Sequence, residues 1–340
     1  MMSAYLNAAN SFKADIAIDL GTANTIVIKR GAGVVFEEPT ICCFAAGGRK
    51  RPLVAAGTAA SQMAGRLTDN LRIARPLRGG VLSDIEAGRE MLRYAVRANR
   101  GWPGSRLSAL IGVPADATQA ERSALKTVAH DAGIRKVELL PEPLLAAIGV
   151  GLDITQPRGR MLVDCGAGTT EVAVISLASI CLSKSVRIGG DTLEEGIADH
   201  LHLRHRFHIG PHAAEGLKRE AIRLLEEGGE AGRVTVRGQN LATGLPETLE
   251  LPCSELLVVF ERHLKEIVST ITAALAETPP ELSQDIFEDG IVVTGGASMV
   301  NLLKKLITKA TGLEVRSPDQ PLNSVAAGLE KLLEEAWGRS

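Results

Sequence analysis

Two stretches of this chain share one pattern of apolar and polar positions. Ile18-Asp19-Leu20-Gly21-Thr22-Ala23-Asn24-Thr25 leads into Ile26-Val27-Ile28, and Val163-Asp164-Cys165-Gly166-Ala167-Gly168-Thr169-Thr170 leads into Val172-Ala173-Val174-Ile175. Both read Asp-x-Gly-x-x-x-Thr between apolar runs. The pattern predicts a strand, a tight glycine turn and a second strand, made twice.

Between and after these hairpins, apolar periodicity predicts alternating strands and helices. Val34–Phe44 reads as a strand region interrupted by Pro39, and Gly57–Arg66 as a helix on a small inserted lobe. Val81–Asn99 has helical spacing at Val81, Ile85, Met91, Leu92 and Ala95. Leu107–Val113 is a buried strand ending at Pro114. Thr118-Gln119-Ala120-Glu121 is a capping-box pattern for a helix that runs to Ala132, where Gly133 stops it. Val137–Leu140 is the next strand, Pro141-Glu142-Pro143 follows, and Leu144–Gly149 is helical. The plan restarts at Met161, with a strand at Ser185–Ile188, helices at Thr192–Phe207 and Ala213–Leu225, and a strand pair at Arg233–Val236 and Thr248–Leu251. Ser254–Glu277 reads as a long amphipathic helix ended by Pro279-Pro280, Ile291–Val293 as a short strand, Met299–Ala310 as a helix, and a last helix begins near Asn323. Such alternation argues for α/β layers.

Composition narrows the class. The 340 residues suggest about two domains, and the hydrophobic fraction of 45% is that of a globular protein. A net charge of −2 gives no electrostatic case for nucleic acid. The five cysteines form no C-x-x-C pair and are expected to be reduced, which fits a cytoplasmic protein. No apolar run spans a bilayer; Met161–Leu182 comes closest, but Asp164 and Glu171 interrupt it. Drawn as a helix, Met2, Tyr5, Leu6, Ala9 and Phe12 share one face, which is either a frayed start or a weak interfacial anchor.

The twin turns carry candidate chemistry. A run of turn N–H groups makes a concave anion site. Two such turns facing each other would grip a polyphosphate from both sides, with Thr22, Ala23 and Asn24 on one side and Gly166, Ala167 and Gly168 on the other. Asp19 and Asp164 would sit near its metal ion, acting largely through metal-bound water; Mg²⁺ suits carboxylate, water and phosphate oxygens.

Six motifs in order extend this picture. Asp19–Thr25, Arg75-Pro76-Leu77, Glu142-Pro143, Gly168–Val174, Val186-Arg187-Ile188-Gly189-Gly190-Asp191 and Thr294-Gly295-Gly296 resemble those of the MreB family of bacterial actins, over about Asp15–Leu329. The resemblance implies an actin-like (duplicated ribonuclease-H-like) ATPase fold: two α/β lobes, each with an inserted subdomain, around a nucleotide cleft. The implied division places residues 15–36, 70–159 and 315–340 in the core of lobe I and residues 37–69 in its insertion. It places residues 160–190 and 254–314 in the core of lobe II and residues 191–253 in its insertion; residues 1–14 form the terminal segment.

The resemblance also implies roles. Glu142 would position or deprotonate the attacking water, with Thr170 helping to hold it. Gly295, Gly296, Ala297 and Ser298 would approach the adenosine, and the Glu-x-x-Lys motif Glu215-Gly216-Leu217-Lys218 would contact ribose and base. ATP and Mg²⁺ are the implied cofactors, with weak ATP hydrolysis. The implied assembly is a head-to-tail filament at the inner face of the cytoplasmic membrane that works with membrane proteins of cell-wall synthesis and organises rod shape. The chain departs from the family where Ala167 and Ala297-Ser298 replace glycine-rich positions and where Gly216 interrupts a helix.

Other readings stand beside this one. A non-polymerising ATPase switch of the actin/Hsp70 type would use the same turns, although an Hsp70 is expected to continue past Ser340 into a long substrate domain. A small-molecule kinase would need an acceptor-binding base, and no third convincing Asp is evident. Trp102, in Arg100-Gly101-Trp102-Pro103-Gly104, is expected either to pack or to touch anionic lipid beside Arg97, Arg100 and Arg106. His200, His202, His205, His208 and His212 crowd one stretch, but Gly210-Pro211 breaks the helix that would align His205, His208 and His212, so a solvated face is expected rather than a metal site.

Overall fold

The computed structural model describes residues 12–47, 51–98, 107–227, 232–296, 301–319 and 321–335. In lobe I, β1 (Ile16–Leu20), β2 (Asn24–Lys29) and β3 (Gly33–Pro39) run antiparallel in succession. β4 (Cys42–Ala45), β5 (Leu53–Ala56), α1 (Gly57–Met63) and β6 (Leu71–Ala74) build a separate small sheet with one helix. β7 (Leu77–Arg78) and β8 (Val81–Leu82) form a short ladder before α2 (Ile85–Arg97). The helix expected from Val81 therefore starts later, where Asp84 caps it by accepting from the Ala87 N–H at 3.0 Å. β9 (Leu107–Val113), α3 (Gln119–Asp131), β10 (Ile134–Pro141) and α4 (Glu142–Gly149) follow. The capping box at Thr118 and Glu121 forms as expected.

Lobe II repeats the scheme. β11 (Arg160–Cys165), β12 (Thr170–Ser176) and β13 (Ser179–Val186) are again antiparallel in succession. The insertion comprises α5 (Gly190–His205), β14 (Phe207–His208), α6 (Pro211–Glu226), β15 (Arg233–Asn240) and β16 (Pro246–Pro252). α7 (Cys253–Glu277) ends before Pro279, and Pro280 then opens α8 (Pro280–Asp289), a helix the sequence pattern did not announce. β17 (Ile291–Thr294), α9 (Asn301–Thr311) and β18 (Val315–Arg316) complete the sheet, and α10 (Ser324–Glu335) packs back on β1 and α4 of lobe I. The sheet orders, β10-β9-β1-β2-β3 and β18-β17-β11-β12-β13, are equivalent strand for strand.

Both faces of each sheet are buried, and alternation along the strands assigns residues to them. Ile16, Ile18 and Leu20 face the core under α2 and α3, whereas Ala17 faces a core shared by both lobes. Met161, Val163 and Cys165 face the core under α7 and α9, whereas Leu162 joins the shared core. That shared core holds Leu144, Leu145, Val325 and Leu329 of α4 and α10 between the two sheets. By the same alternation Asp19, Asp164 and Glu171 point to the side where the lobes meet. Phe12 is half-buried against the shared core, which is a packing position and not an exposed apolar face. Met2, Tyr5, Leu6 and Trp102 lie outside the described residues. Among the described residues no helix is long and apolar enough to cross a membrane.

Candidate functional site

The two turns are closed in the same way. The Gly21 N–H donates to the Asn24 carbonyl at 3.0 Å, and the Gly166 N–H donates to the Thr169 carbonyl at 2.8 Å. They meet across the lobes: a methyl group placed on Gly168 would come within 2.7 Å of Thr22 Oγ1. A side chain at Gly168 would force Thr22 to move. The structure thus brings Thr22 of the first turn against Gly168 of the second. Ala167 lies outside the left-handed region, so its extra methyl group costs no backbone strain.

Four carboxylates face this junction. Burial, then the neighbouring Asp164 charge, pushes Asp19 up to about 7. Burial pushes Asp164 up to about 6. Glu142, the first residue of α4, is raised well above the usual carboxylate range by burial and by Glu171, Asp19 and Asp164. Glu171, only 2% exposed, is also raised, chiefly by burial, although the Ala115 N–H donates to its Oε1 at 2.9 Å. The two carboxyl groups face each other, and the Ala115 N–H opposes the rise at Glu171 by favouring its anion. Glu171 was not singled out from sequence. The available signal was a lone acid in an otherwise apolar strand, on the alternation that faces the other lobe.

The remaining candidates divide. Thr170 is fully buried, and its hydroxyl donates to the Ile188 carbonyl at 2.8 Å, a bond within the lobe II core. Gly295 follows β17 with a positive φ of 83°, and a methyl group there would lie 2.7 Å from Asp164 Oδ1. It therefore sits against the second turn; Gly296 follows it, and Ala297 and Ser298 lie outside the described residues. On α6, Glu215 and Gly216 lie toward solvent, Leu217 is buried in the insertion's core, and Lys218 pairs with Glu194 of α5. Burial raises Asp191, and the Arg75 and Lys218 cations oppose the rise. The two insertions touch where the His212 ring Nε2–H donates to the Ser61 carbonyl at 2.9 Å.

This donor set fits a hard divalent cation and a polyphosphate. Burial, and for Asp19, Glu142 and Glu171 also the neighbouring carboxylates, disfavours negative charge at this junction, and positive charge placed among these groups opposes that effect. Asp19 and Asp164, at equivalent strand ends, are the residues placed to hold such an ion.

Comparison with known proteins agrees with the fold. The family model described as MreB/Mbl protein matches residues 13–338. The cell shape-determining protein MreB of Escherichia coli (strain K12) is 40% identical over 327 residues, covering 95% of this chain and 94% of that protein. The cell shape-determining protein Mbl of Bacillus subtilis (strain 168) is 34% identical over 324 residues, covering 95% and 96%. Among solved structures, MreB5 of Spiroplasma citri bound to ADP superposes with a TM-score of 0.84 at 29% identity, covering 93% of this chain and 94% of that one. The MamK double helical filament, at 21% identity over 93% and 97% with a TM-score of 0.75, shares the actin-like fold.

Proposed function

Because the chain belongs to the MreB/Mbl family, we propose that it is an ATP-dependent, actin-like cytoskeletal protein whose filaments organise cell-wall growth and rod shape. The observation that carries this reading is the pair of matched turns meeting at Gly168 and Thr22, with Asp19 and Asp164 at equivalent strand ends. MreB5 structures with ADP and with AMPPNP support an adenine nucleotide as the occupant.

In this reading Thr22, Ala23, Asn24, Gly166, Ala167 and Gly168 bind the phosphates. Asp19 and Asp164 hold Mg²⁺ largely through water, and the ion supplies charge neutralisation to the polyphosphate when bound. Gly295 and Gly296, with Ala297 and Ser298 beyond them, receive the adenosine from one side; Glu215, Gly216 and Lys218 receive it from the other. Phosphoryl transfer asks the protein mainly for in-line positioning and charge stabilisation. Glu142 orients the attacking water, and Glu171, anchored by the Ala115 N–H, fixes the Glu142 carboxyl. Thr170 anchors the start of β12 by donating to the Ile188 carbonyl, and so positions the neighbouring Glu171. The expected activity is a weak ATPase.

The lobe division given above assigns residues 37–69 and 191–253 as the insertions that close over the nucleotide, and the His212–Ser61 bond supports it. Head-to-tail contacts that do not close on themselves generate filaments. The terminal segment and the Trp102 loop are weak membrane signals singly, and a filament multiplies them. Its partners would be further copies of the chain, the inner membrane surface and membrane proteins of cell-wall synthesis. Sedimentation with Mg-ATP should show polymer above a threshold concentration, and the polymer but not the monomer should pellet with anionic liposomes. A strictly monomeric species in light scattering at high concentration with ATP would overturn the filament reading.

A further inference from the structure

The histidine-rich stretch of the lobe II insertion is not the solvated face its sequence suggests. α5 ends at His205 because Arg206 enters the left-handed region (φ 48°) and closes the helix through its N–H to the Leu201 carbonyl. This brings the His205 ring beside that of His200, with centroids 6.4 Å apart. Glu255, in the first turn of α7, meets both rings. Its Oε1 lies 2.9 Å from His200 Nε2 and 2.6 Å from His205 Nε2. The three ligand atoms all fall within 4.8 Å of one another. His202 is exposed on the same helix, and His212 is engaged with Ser61.

We propose that His200, His205 and Glu255 form a binding site for a divalent transition-metal ion of the Zn²⁺ class. Two imidazoles and one carboxylate are a borderline nitrogen–oxygen set, which selects Zn²⁺ and its neighbours over Mg²⁺ or Ca²⁺. Ligand bonds of about 2.0–2.2 Å place tetrahedral ligand atoms about 3.4 Å apart. The imidazole–carboxylate spacings of 2.6 and 2.9 Å are already close to that and need only small side-chain rotations. In the ion-free protein two rings share one carboxylate oxygen, and the ion replaces the two protons that make those bonds. Exposures of 17% for His200, 28% for His205 and 24% for Glu255 leave an entry path and a fourth position open to water.

The site ties two helices of different origin. α5 starts at the second turn, where the Asp191 N–H donates to the Ala167 carbonyl at 2.9 Å, and α7 runs into the core of lobe II. An ion between them pins the far end of α5 without entering the cleft. Zn²⁺ therefore stabilises the protein with or without nucleotide, and nucleotide binding does not depend on it.

The test uses the full-length chain, stripped with a chelator and titrated with Zn²⁺ alone in a calorimeter. One ion per chain is expected, undisplaced by excess Mg²⁺, with a rise in Tm on binding. His200→Ala, His205→Ala and Glu255→Ala should each weaken binding at least about tenfold, the scale on which even a supporting residue changes metal affinity. His202→Ala should bind as wild type does. Should a variant lose its fold by circular dichroism, Co²⁺ added to the wild type decides: a tetrahedral visible spectrum supports the site. Absence of 1:1 Zn²⁺ binding, an octahedral Co²⁺ spectrum, or equal weakening by His202→Ala would overturn it.

Discussion

The hairpins β1–β2 and β11–β12 share register and turn closure, and they differ in what stands opposite each aspartate. Asp19 stands opposite Ile26, and Asp164 stands opposite Glu171. The threonines one step nearer the turn, Thr25 and Thr170, are both buried and both engaged, the first with the Thr40 hydroxyl and the second with the Ile188 carbonyl. In lobe I the residue across from the aspartate is packing. In lobe II it is an acid whose partner is Glu142. On the proposed reading, gripping a polyphosphate would use what the two hairpins have in common, whereas activating water would use what differs between them.

The largest effect is expected from breaking the shared part. Asp164→Ala should abolish Mg²⁺-dependent ATP binding and the thermal stabilisation that a ligand of the native state confers. Asp19→Ala should do the same. Calorimetric ATP affinity unchanged in either variant would count against the clamp. Breaking the asymmetric part should separate binding from turnover. Glu142→Ala should keep ATP affinity and slow phosphate release by roughly 10²-fold, as loss of a group acting on the nucleophile does. A wild-type protein with no turnover at all would make the chain a binding-only actin.

Glu171→Ile turns the second hairpin into a copy of the first. It should leave ATP affinity within a few-fold and slow phosphate release by on the order of tenfold to 10²-fold, because Glu142 loses the partner that positions it. Glu171→Gln, which keeps a hydrogen-bonding side chain, should recover part of the rate. Turnover equal to wild type in Glu171→Ile would reduce Glu171 to a packing residue.

The carboxylates also make a stability prediction. Asp19 and Asp164 titrate at about 7 and about 6 in the folded protein, above their ordinary value of 3.8. The native state therefore binds more protons than the unfolded state between those limits, so this contribution is present below about pH 4 and is lost as pH rises through 6 to 7. Ligand-free protein should melt lower at pH 8 than at pH 5 on this account. Asp164→Asn removes the buried charge and should raise stability at pH 8 by about 1–3 kcal/mol while losing Mg-ATP binding. A pH-independent difference between Asp164→Asn and wild type would refute the assignment.

The hairpins and the core strands were legible because each strand is buried on both faces and framed by glycine or proline. Val81-Leu82 looked helical because its apolar spacing continues into Ile85 and Met91; the Asp84 cap, not the apolar pattern, sets the boundary. Pro280 read as a terminator although proline is equally at home in the first turn of a helix, which hid α8. The aspartates were legible as a pair because the motif repeats. Glu171 was visible in the same motif but does not repeat, so comparison of the two copies is what marks it. His200 and Glu255 are 55 positions apart, and only the packing of α5 on α7 brings them together.

The smallest effect concerns Ala167, where the family resemblance leads to an expectation of glycine. Glycine is required in a turn only where φ is positive or where another backbone comes too close for a methyl group. Ala167 meets neither condition: its φ is outside the left-handed region, and its carbonyl accepts from the Asp191 N–H in an ordinary bond of 2.9 Å. Gly168, next to it, is crowded: an added methyl group would meet the Thr22 side chain at 2.7 Å and the Gly80 backbone nitrogen at 3.2 Å. The alanine therefore acts mainly on the unfolded chain, by restricting it. Ala167→Gly should lower stability by about 0.4–1 kcal/mol, the entropy released to the unfolded state, and leave Mg-ATP affinity within about twofold, well inside the tenfold that 1.4 kcal/mol represents. Gly168→Ala, by contrast, should weaken ATP binding strongly because it pushes the two turns apart. Tighter nucleotide binding in Ala167→Gly by tenfold or more would show that the methyl group obstructs the phosphate, and that the second turn, unlike the first, is compromised for binding as well as specialised for chemistry.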